Sequence, residues 1–268
     1  MANMLRHQNW PLILSAFICF FLGLACLVLT TAPSEGIWYF FANYLLSGAK
    51  LYTELQMSQQ PVFIIINAIG LFIFGKTYFE QKIIFILILI LYIYFGCKLV
   101  QKISISRARQ AILLLSFFMC SIHFEAYRFD DYHALLGVLA LAITYRLANV
   151  DNPPGDLIKE VCITGVLVGV AILTRVNDGL SLFLAVLLIL YVRNIHTPYL
   201  GIASFTISVG ATVGLLLLAI DESPINWLRA TVLESIDLKG GASVFSAPFQ
   251  LIRNSIFSLK NRHDKLYL

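Results

Sequence analysis

Apolar residues in this chain come in long unbroken runs, not in the alternations that mark half-buried helices or strands. The first runs from Trp10 to Thr31. Crossing a bilayer as a helix takes roughly 20 residues, so this run is long enough. Further runs cover Pro61–Phe74, Ile83–Gly96, Ala111–Phe124, Ala134–Leu147, Val161–Thr174, Leu180–Val192 and Leu200–Ile220, and none holds an Asp, Glu or Lys in its interior. Charged groups such as Arg146 and Arg193 sit at the ends, where long side chains reach the headgroups. The pattern predicts an all-α fold, a polytopic transmembrane helical bundle. It also speaks against an ion-coupled transporter, which keeps ionisable groups at mid-membrane.

The number of spans depends on whether the short run Pro61–Phe74 crosses. If it stays on one side, Arg6, Lys98, Lys102, Arg107, Arg109, Arg146, Lys159 and Arg193 face the cytoplasm. Lys50, Lys76, Lys82, Arg128 and Arg175 then face outward, so eight basic residues oppose five, leaving out the six in the long tail after Asp221, where the rule applies poorly. If it crosses, the count reverses. The positive-inside rule selects the first arrangement: about seven spans, a cytoplasmic amino end and a first outer loop over residues 32–82. Arg6 ahead of the first run invites a signal-peptide reading, but the run is long for one and Pro33 follows the small-residue site, so an uncleaved span is expected.

The first outer loop carries juxtamembrane helices. Ile37–Leu46 (IWYFFANYLL) closes at Gly48, a helix stop, and Trp38, Tyr39 and Tyr44 suit a helix along the headgroup layer. Residues 1–220 form the transmembrane domain. Residues 221–268 form an extracytoplasmic tail, with an amphipathic stretch around Pro248–Leu259.

Composition excludes the remaining classes. The chain is 59% apolar and 13% charged, with mean hydropathy +0.82, whereas soluble domains carry about 25% charged residues. Disorder, a coiled coil and a disulfide-stapled secreted module fail on the same figures. The net charge of +4 is spread along the chain, so no nucleic-acid partner is expected. Cys19, Cys26, Cys97, Cys120 and Cys162 are odd in number and lack C-x-x-C spacing, which suggests neither disulfides nor zinc. They read as small hydrophobes.

Under this topology three outer loops carry acids and cations. Glu35, Lys50 and Glu54 lie in the first, Glu125, Arg128, Asp130, Asp131 and His133 in the second, and Arg175 and Asp178 in the third. The tail adds Lys239. An apolar bundle with such a mouth suits a lipid-linked sugar phosphate, its tail among the helices and its headgroup at the rim. Glu35, Asp130 or Asp131 can take the proton of an incoming hydroxyl. Arg175, Arg128, Lys50 and Lys239 can neutralise the donor phosphate, and a divalent cation, Mg or Mn, held by Glu35 and Asp131 can serve the same end. Each residue also has a structural explanation. Ser34 reads as an N-cap with Glu35 in the first helical turn, Asp130 and Asp131 can cap the next span, and Asp178–Gly179 is a tight-turn pair.

The order of these features resembles a known family. S-E-G-I-W-Y-F-F-A-N-Y-L-L-S-G-A-K-L-Y, then Q-Q-P-V-F at Gln59–Phe63 and L-F-I-F-G at Leu71–Gly75, resembles the first outer loop of GT-C membrane glycosyltransferases. The likeness is to the protein O-mannosyltransferase and aminoarabinose-transferase-like group and its lipopolysaccharide glycosyltransferase relatives. F-D-D-Y-H-A-L-L-G at Phe129–Gly137 and G-V-L-V-G-V-A-I-L-T-R-V-N-D-G at Gly165–Gly179 fit the same pattern. The resemblance implies a GT-C-like fold in the cell (inner) membrane. It implies sugar transfer from a polyprenyl-phosphate donor to a lipid, glycan or protein acceptor on the extracytoplasmic face.

In that family the first-loop acid, the Asp of a D-E pair, is the base. Ser34 occupies that position here and Glu35 remains. Asp130 and Asp131 match the second acidic site, and Arg175 falls where a cation for the donor phosphate is often placed. Family members are longer, so a truncated or minimal chain is expected, with a protein partner completing the bundle. Two other readings stand beside the enzyme: a catalytically inactive lipid-binding or assembly subunit of the same fold, and a permease or flippase.

Overall fold

A computed structural model describes residues 10–29, 33–54, 61–75, 78–103, 106–121, 132–148, 154–192 and 198–233. Every regular element among the described residues is helical. The chain divides into two compact units, one formed by Met1–Ala49 and Gln60–Ile220, the other by Lys50–Gln59 and Asp221–Leu268. Ten residues of the first outer loop thus group with the tail and not with the bundle.

The first unit holds α1 (Trp10–Leu29), α2 (Pro33–Leu46), α3 (Pro61–Phe74), α4 (Tyr78–Ile103), α5 (Arg107–Ser121), α6 (Tyr132–Leu147), α7 (Pro154–Thr174), α8 (Val176–Val192) and α9 (Pro198–Ala219). Three of these are long and apolar enough to cross a membrane, over Trp10–Leu27, Lys82–Ile103 and Tyr199–Ala219. α3, α6 and α8 are shorter apolar helices. Several helices overrun the apolar stretch that predicts them. α4 starts five residues before Ile83 and ends seven after Gly96, because a backbone that is already hydrogen-bonded continues through polar positions until a breaker intervenes.

Side-chain contacts fix the relative directions of the helices. Lys82 at the start of α4 reaches the Leu27 carbonyl at the end of α1, and a Cβ on Gly23 would meet Leu89 and Phe118. α1 and α4 are therefore antiparallel. Tyr92 lies against Phe118 and Gly96 against Leu114, so α5 returns along α4. Arg146 pairs with Glu160 and His133 with Arg175, which sets α6 antiparallel to α7. Gly165 abuts Phe205 and Ser208, and Gly169 abuts Val209 and Thr212, so α7 and α9 run parallel in close contact. This G-x-x-x-G approach is the small-residue packing used between membrane helices. α8 folds back along α7, with Phe183 stacked on Phe205 of α9 at 5.3 Å.

The first outer loop packs differently. Gly48 takes φ +87°, and the amides of Gly48 and Ala49 return to the carbonyls of Leu45 and Tyr44, a Schellman stop for α2. α2 buries Trp38 and Ala42 and leaves Ile37, Phe40 and Tyr44 exposed along the other face. Ala42 joins Ala68 and Leu71 of α3 in a core closed by Tyr39, Leu45 and Leu46. On α3, Phe63 stacks on Phe85 while Gly70 abuts Ile84. Those two positions are about 10 Å apart along α3 yet meet adjacent residues of α4, so α3 lies across α4 near its beginning.

In the second unit Ser223 caps α10 (Pro224–Leu228), accepting from the Ile225 amide, and a π-helical turn, Arg229–Leu233, follows. The Tyr52 amide donates to the buried Glu222 carboxylate at 2.8 Å. The Lys50 ammonium pairs with Asp221 at 2.6 Å.

Candidate functional site

The chemistry of the first unit gathers where α6 begins and α7 ends. Arg175 is the single non-helical residue between α7 and α8. Its amide donates to the Ala171 carbonyl and its own carbonyl accepts from Gly179, so the chain reverses almost without a loop. Gly179 makes this possible. A Cβ there would run into the Ile172 backbone, so only glycine allows the two helix ends to approach this closely. Asp178–Gly179 is accordingly not a turn pair, since both residues lie inside α8 with Asp178 in its first turn.

The Arg175 guanidinium meets three side chains. Its Nη1 donates to Asp178 at 3.0 Å and faces His133 Nε2 at 3.3 Å. A guanidinium has donors only, so Nε2 is the acceptor and the imidazole carries its proton on Nδ1. The Cζ of Arg175 also lies 5.7 Å from the centre of the Tyr132 ring, a cation–π contact. Among the described residues nothing takes the Nε and Nη2 donors, an edge suited to two oxygens of one anion.

Tyr132 links this cation to the first outer loop. The indole of Trp38 stands edge-on to Tyr132 at 6.0 Å and to Phe63 at 5.0 Å. Trp38 is 5% exposed, and its indole Nε1 is buried without a hydrogen-bond partner among the described residues. Aromatic richness in Ile37–Leu46 signalled an interfacial helix. The face each ring takes depends on α3, whose packing the sequence does not reveal. Segments far apart in the chain, carrying Trp38, then Tyr132 and His133, then Arg175 and Asp178, thus meet at one end of the unit.

Of the expected site residues, Arg175 belongs to this cluster. Glu35 is the third residue of α2, which begins at Pro33, and its side chain lies outside the described residues. Ser34 therefore sits within the helix and not before it. Asp130, Asp131, Arg128 and Lys239 also lie outside the described residues. Lys50 belongs to the second unit, where the hydrogen bond and charge of Asp221 hold its ammonium above the ordinary lysine range. Around Arg175 the described acid–base groups are one carboxylate and one imidazole. No three His, Cys, Asp or Glu converge as metal ligands among the described residues.

Arg146, at the far end of α6, is anchored by contacts to both Glu160 oxygens. The site residues that sequence reasoning missed are Trp38 and Tyr132. Their only trace there is an aromatic residue beside each charged motif. Comparison of the chain with protein-family models, with curated proteins and with solved structures finds no match.

Proposed function

We propose that the chain is a membrane-embedded glycosyltransferase of the GT-C kind. It transfers a sugar from a polyprenyl-phosphate donor on the extracytoplasmic side. Seven helices, α1 and α4 to α9, serve as the spans, with α2 and α3 as juxtamembrane helices. In support, α1 ends where α4 begins, and α3 lies across α4, as a loop that leaves and re-enters one side requires. Lys98, Lys102, Arg107, Arg109, Arg146 and Lys159 fall toward the opposite end, which the positive-inside rule makes cytoplasmic.

The observation that carries the reading is the meeting of three separate segments at Tyr132, whose ring contacts both Trp38 and Arg175. In this site the guanidinium edge holds the donor phosphate, and the ring of Tyr132, itself packed against Trp38, backs the cation. The acceptor oxygen bonds to the anomeric carbon as the bond from that carbon to the phosphate oxygen breaks. The phosphate leaves with the electron pair and is stabilised by Arg175, and the acceptor proton passes to a carboxylate, Glu35 or Asp131.

The test is sugar transfer from a polyprenyl-phosphate sugar by the purified chain in lipid, with Glu35→Gln, Asp131→Asn and Arg175→Gln beside the wild type. Loss of about 100-fold or more in Arg175→Gln and in one carboxylate variant is expected. Equal rates in all four proteins remove the enzyme reading. Donor binding without turnover would select the alternative, an inactive lipid-binding subunit, which the Ser34 position favours.

A further inference from the structure

Trp38 is the one described residue with a buried side-chain nitrogen or oxygen that lacks a hydrogen-bond partner. An indole N–H withdrawn from water and left unbonded forfeits its full hydration, and folded proteins seldom keep such a donor without a use for it. Its neighbours are two aromatic rings, Phe63 and Tyr132, and the second of these also carries the Arg175 guanidinium. The unused donor and the cation therefore flank a single ring. Arg175 is held by Asp178 and His133 with one edge unclaimed among the described residues. A neutral donor and a cation that share the Tyr132 ring as a neighbour match a phosphoryl group, which offers several acceptor oxygens on one charged centre.

We propose that the Trp38 indole N–H is a ligand-binding donor. It takes one phosphoryl oxygen of the lipid-linked phosphate whose charge Arg175 neutralises. The proposal rests on the reading of this site as one for a polyprenyl phosphate and adds the group that orients the phosphate. Trp38 is in this sense a positioning and specificity residue and not an acid or base, because an indole neither gains nor loses a proton in the physiological range. The rigid helical placement of Trp38 on α2 gives the bond its direction, and Tyr132 holds the cation at a fixed distance from it.

The experiment measures equilibrium binding of labelled farnesyl phosphate to the purified full chain in lipid nanodiscs, together with the thermal midpoint of the unliganded protein. Trp38→3-benzothienylalanine, which carries sulfur in place of the indole nitrogen, keeps both fused rings for Phe63 and Tyr132 and removes only the N–H. It is expected to weaken farnesyl phosphate binding about tenfold or more while leaving the unliganded midpoint unchanged or higher, since an unbonded donor has been removed. A purely structural Trp38 cannot give that pair of results.

Unchanged affinity in Trp38→3-benzothienylalanine alongside weakened binding in Arg175→Gln overturns the indole proposal and leaves the phosphate site standing. A lowered unliganded midpoint in Trp38→3-benzothienylalanine, whose ring volume is kept, means the N–H serves the protein's own packing, and it also overturns the proposal. Failure of the wild type to bind farnesyl phosphate removes both the proposal and the site reading. Inorganic phosphate is expected not to displace the lipid, and displacement at equal concentration overturns the lipid assignment.

Discussion

The Lys82 ammonium donates to the Leu27 carbonyl at 3.0 Å, so the end of α1 and the start of α4 share one end of the bundle. A cation on a helix's last carbonyls satisfies acceptors that have no partner in their own helix and complements its dipole. The chain thus leaves α1 and enters α4 at a common point. In a cysteine-free background, Gly36→Cys and Asn177→Cys are expected to react with a membrane-impermeant maleimide in intact cells. Ser106→Cys is expected to react only after permeabilisation. Labelling of Gly36→Cys and Ser106→Cys from the same side would rule out the seven-span arrangement.

Arg146 and Glu160 join α6 to α7 through two contacts of 3.0 and 3.1 Å. Both side chains are mostly sheltered, so the pair lies between the negligible value of a surface ion pair and the several kcal/mol lost when a buried one is broken. Glu160→Gln or Arg146→Met is expected to cost about 1–2 kcal/mol. The exchange Arg146→Glu with Glu160→Arg should recover part of that loss. Thermal unfolding of the four proteins in detergent measures this directly.

Packing of α7 on α9 depends on the absence of side chains at Gly165 and Gly169. A Cβ would lie 2.7 Å from Ser208 and 2.8 Å from the Phe205 carbonyl at the first, and 2.8 Å from Thr212 at the second. Gly165→Leu is expected to destabilise by about 3 kcal/mol or more, beyond the usual overpacking cost because backbone as well as side chain must move. Gly210→Leu and Gly214→Leu have open space and should fall within about 0.5 kcal/mol of the wild type. Comparable losses at all four glycines would show that helix propensity and not packing is at issue.

In the second unit, burial first and the charge of Glu222 second push the Tyr52 phenol well above its ordinary range. The folded chain therefore keeps this proton where the unfolded chain, with a phenol near pH 10, begins to lose it. The contribution is whole below about pH 10 and is lost as pH rises beyond it. Tyrosinate absorbance should show a component that titrates only on unfolding, and Tyr52→Phe should abolish it. A Tyr52 signal that titrates with the exposed tyrosines would contradict the burial.

The run of apolar stretches made the helical class and nearly every helix legible, because a backbone in hydrocarbon must bond to itself and long apolar runs have no other solution. Gly48 was legible for a local reason, its left-handed conformation. The cluster itself was only partly visible. Arg175 stood out as a charge beside a span, whereas Trp38 and Tyr132 did not, because which way a ring faces is decided by α3 and α6 together. Gly179 was misread for a similar cause. Asp-Gly is a common turn pair, but here the reversal is made three residues earlier, at Arg175, and the glycine is needed for interhelical clearance. The grouping of residues 50–59 with the tail was beyond reach, since the Tyr52–Glu222 bond spans 170 positions.

The one-residue joint at Arg175 leaves its cation without slack. A charge on a long loop can drift to meet an anion, but this one is aimed by the two helix axes that share it, so its position is set by how α7 and α8 seat on their neighbours. Gly179 against Ile172 is then the pivot of that aim. A methyl group added there would swing the guanidinium off target while every polar group in the cluster stayed intact.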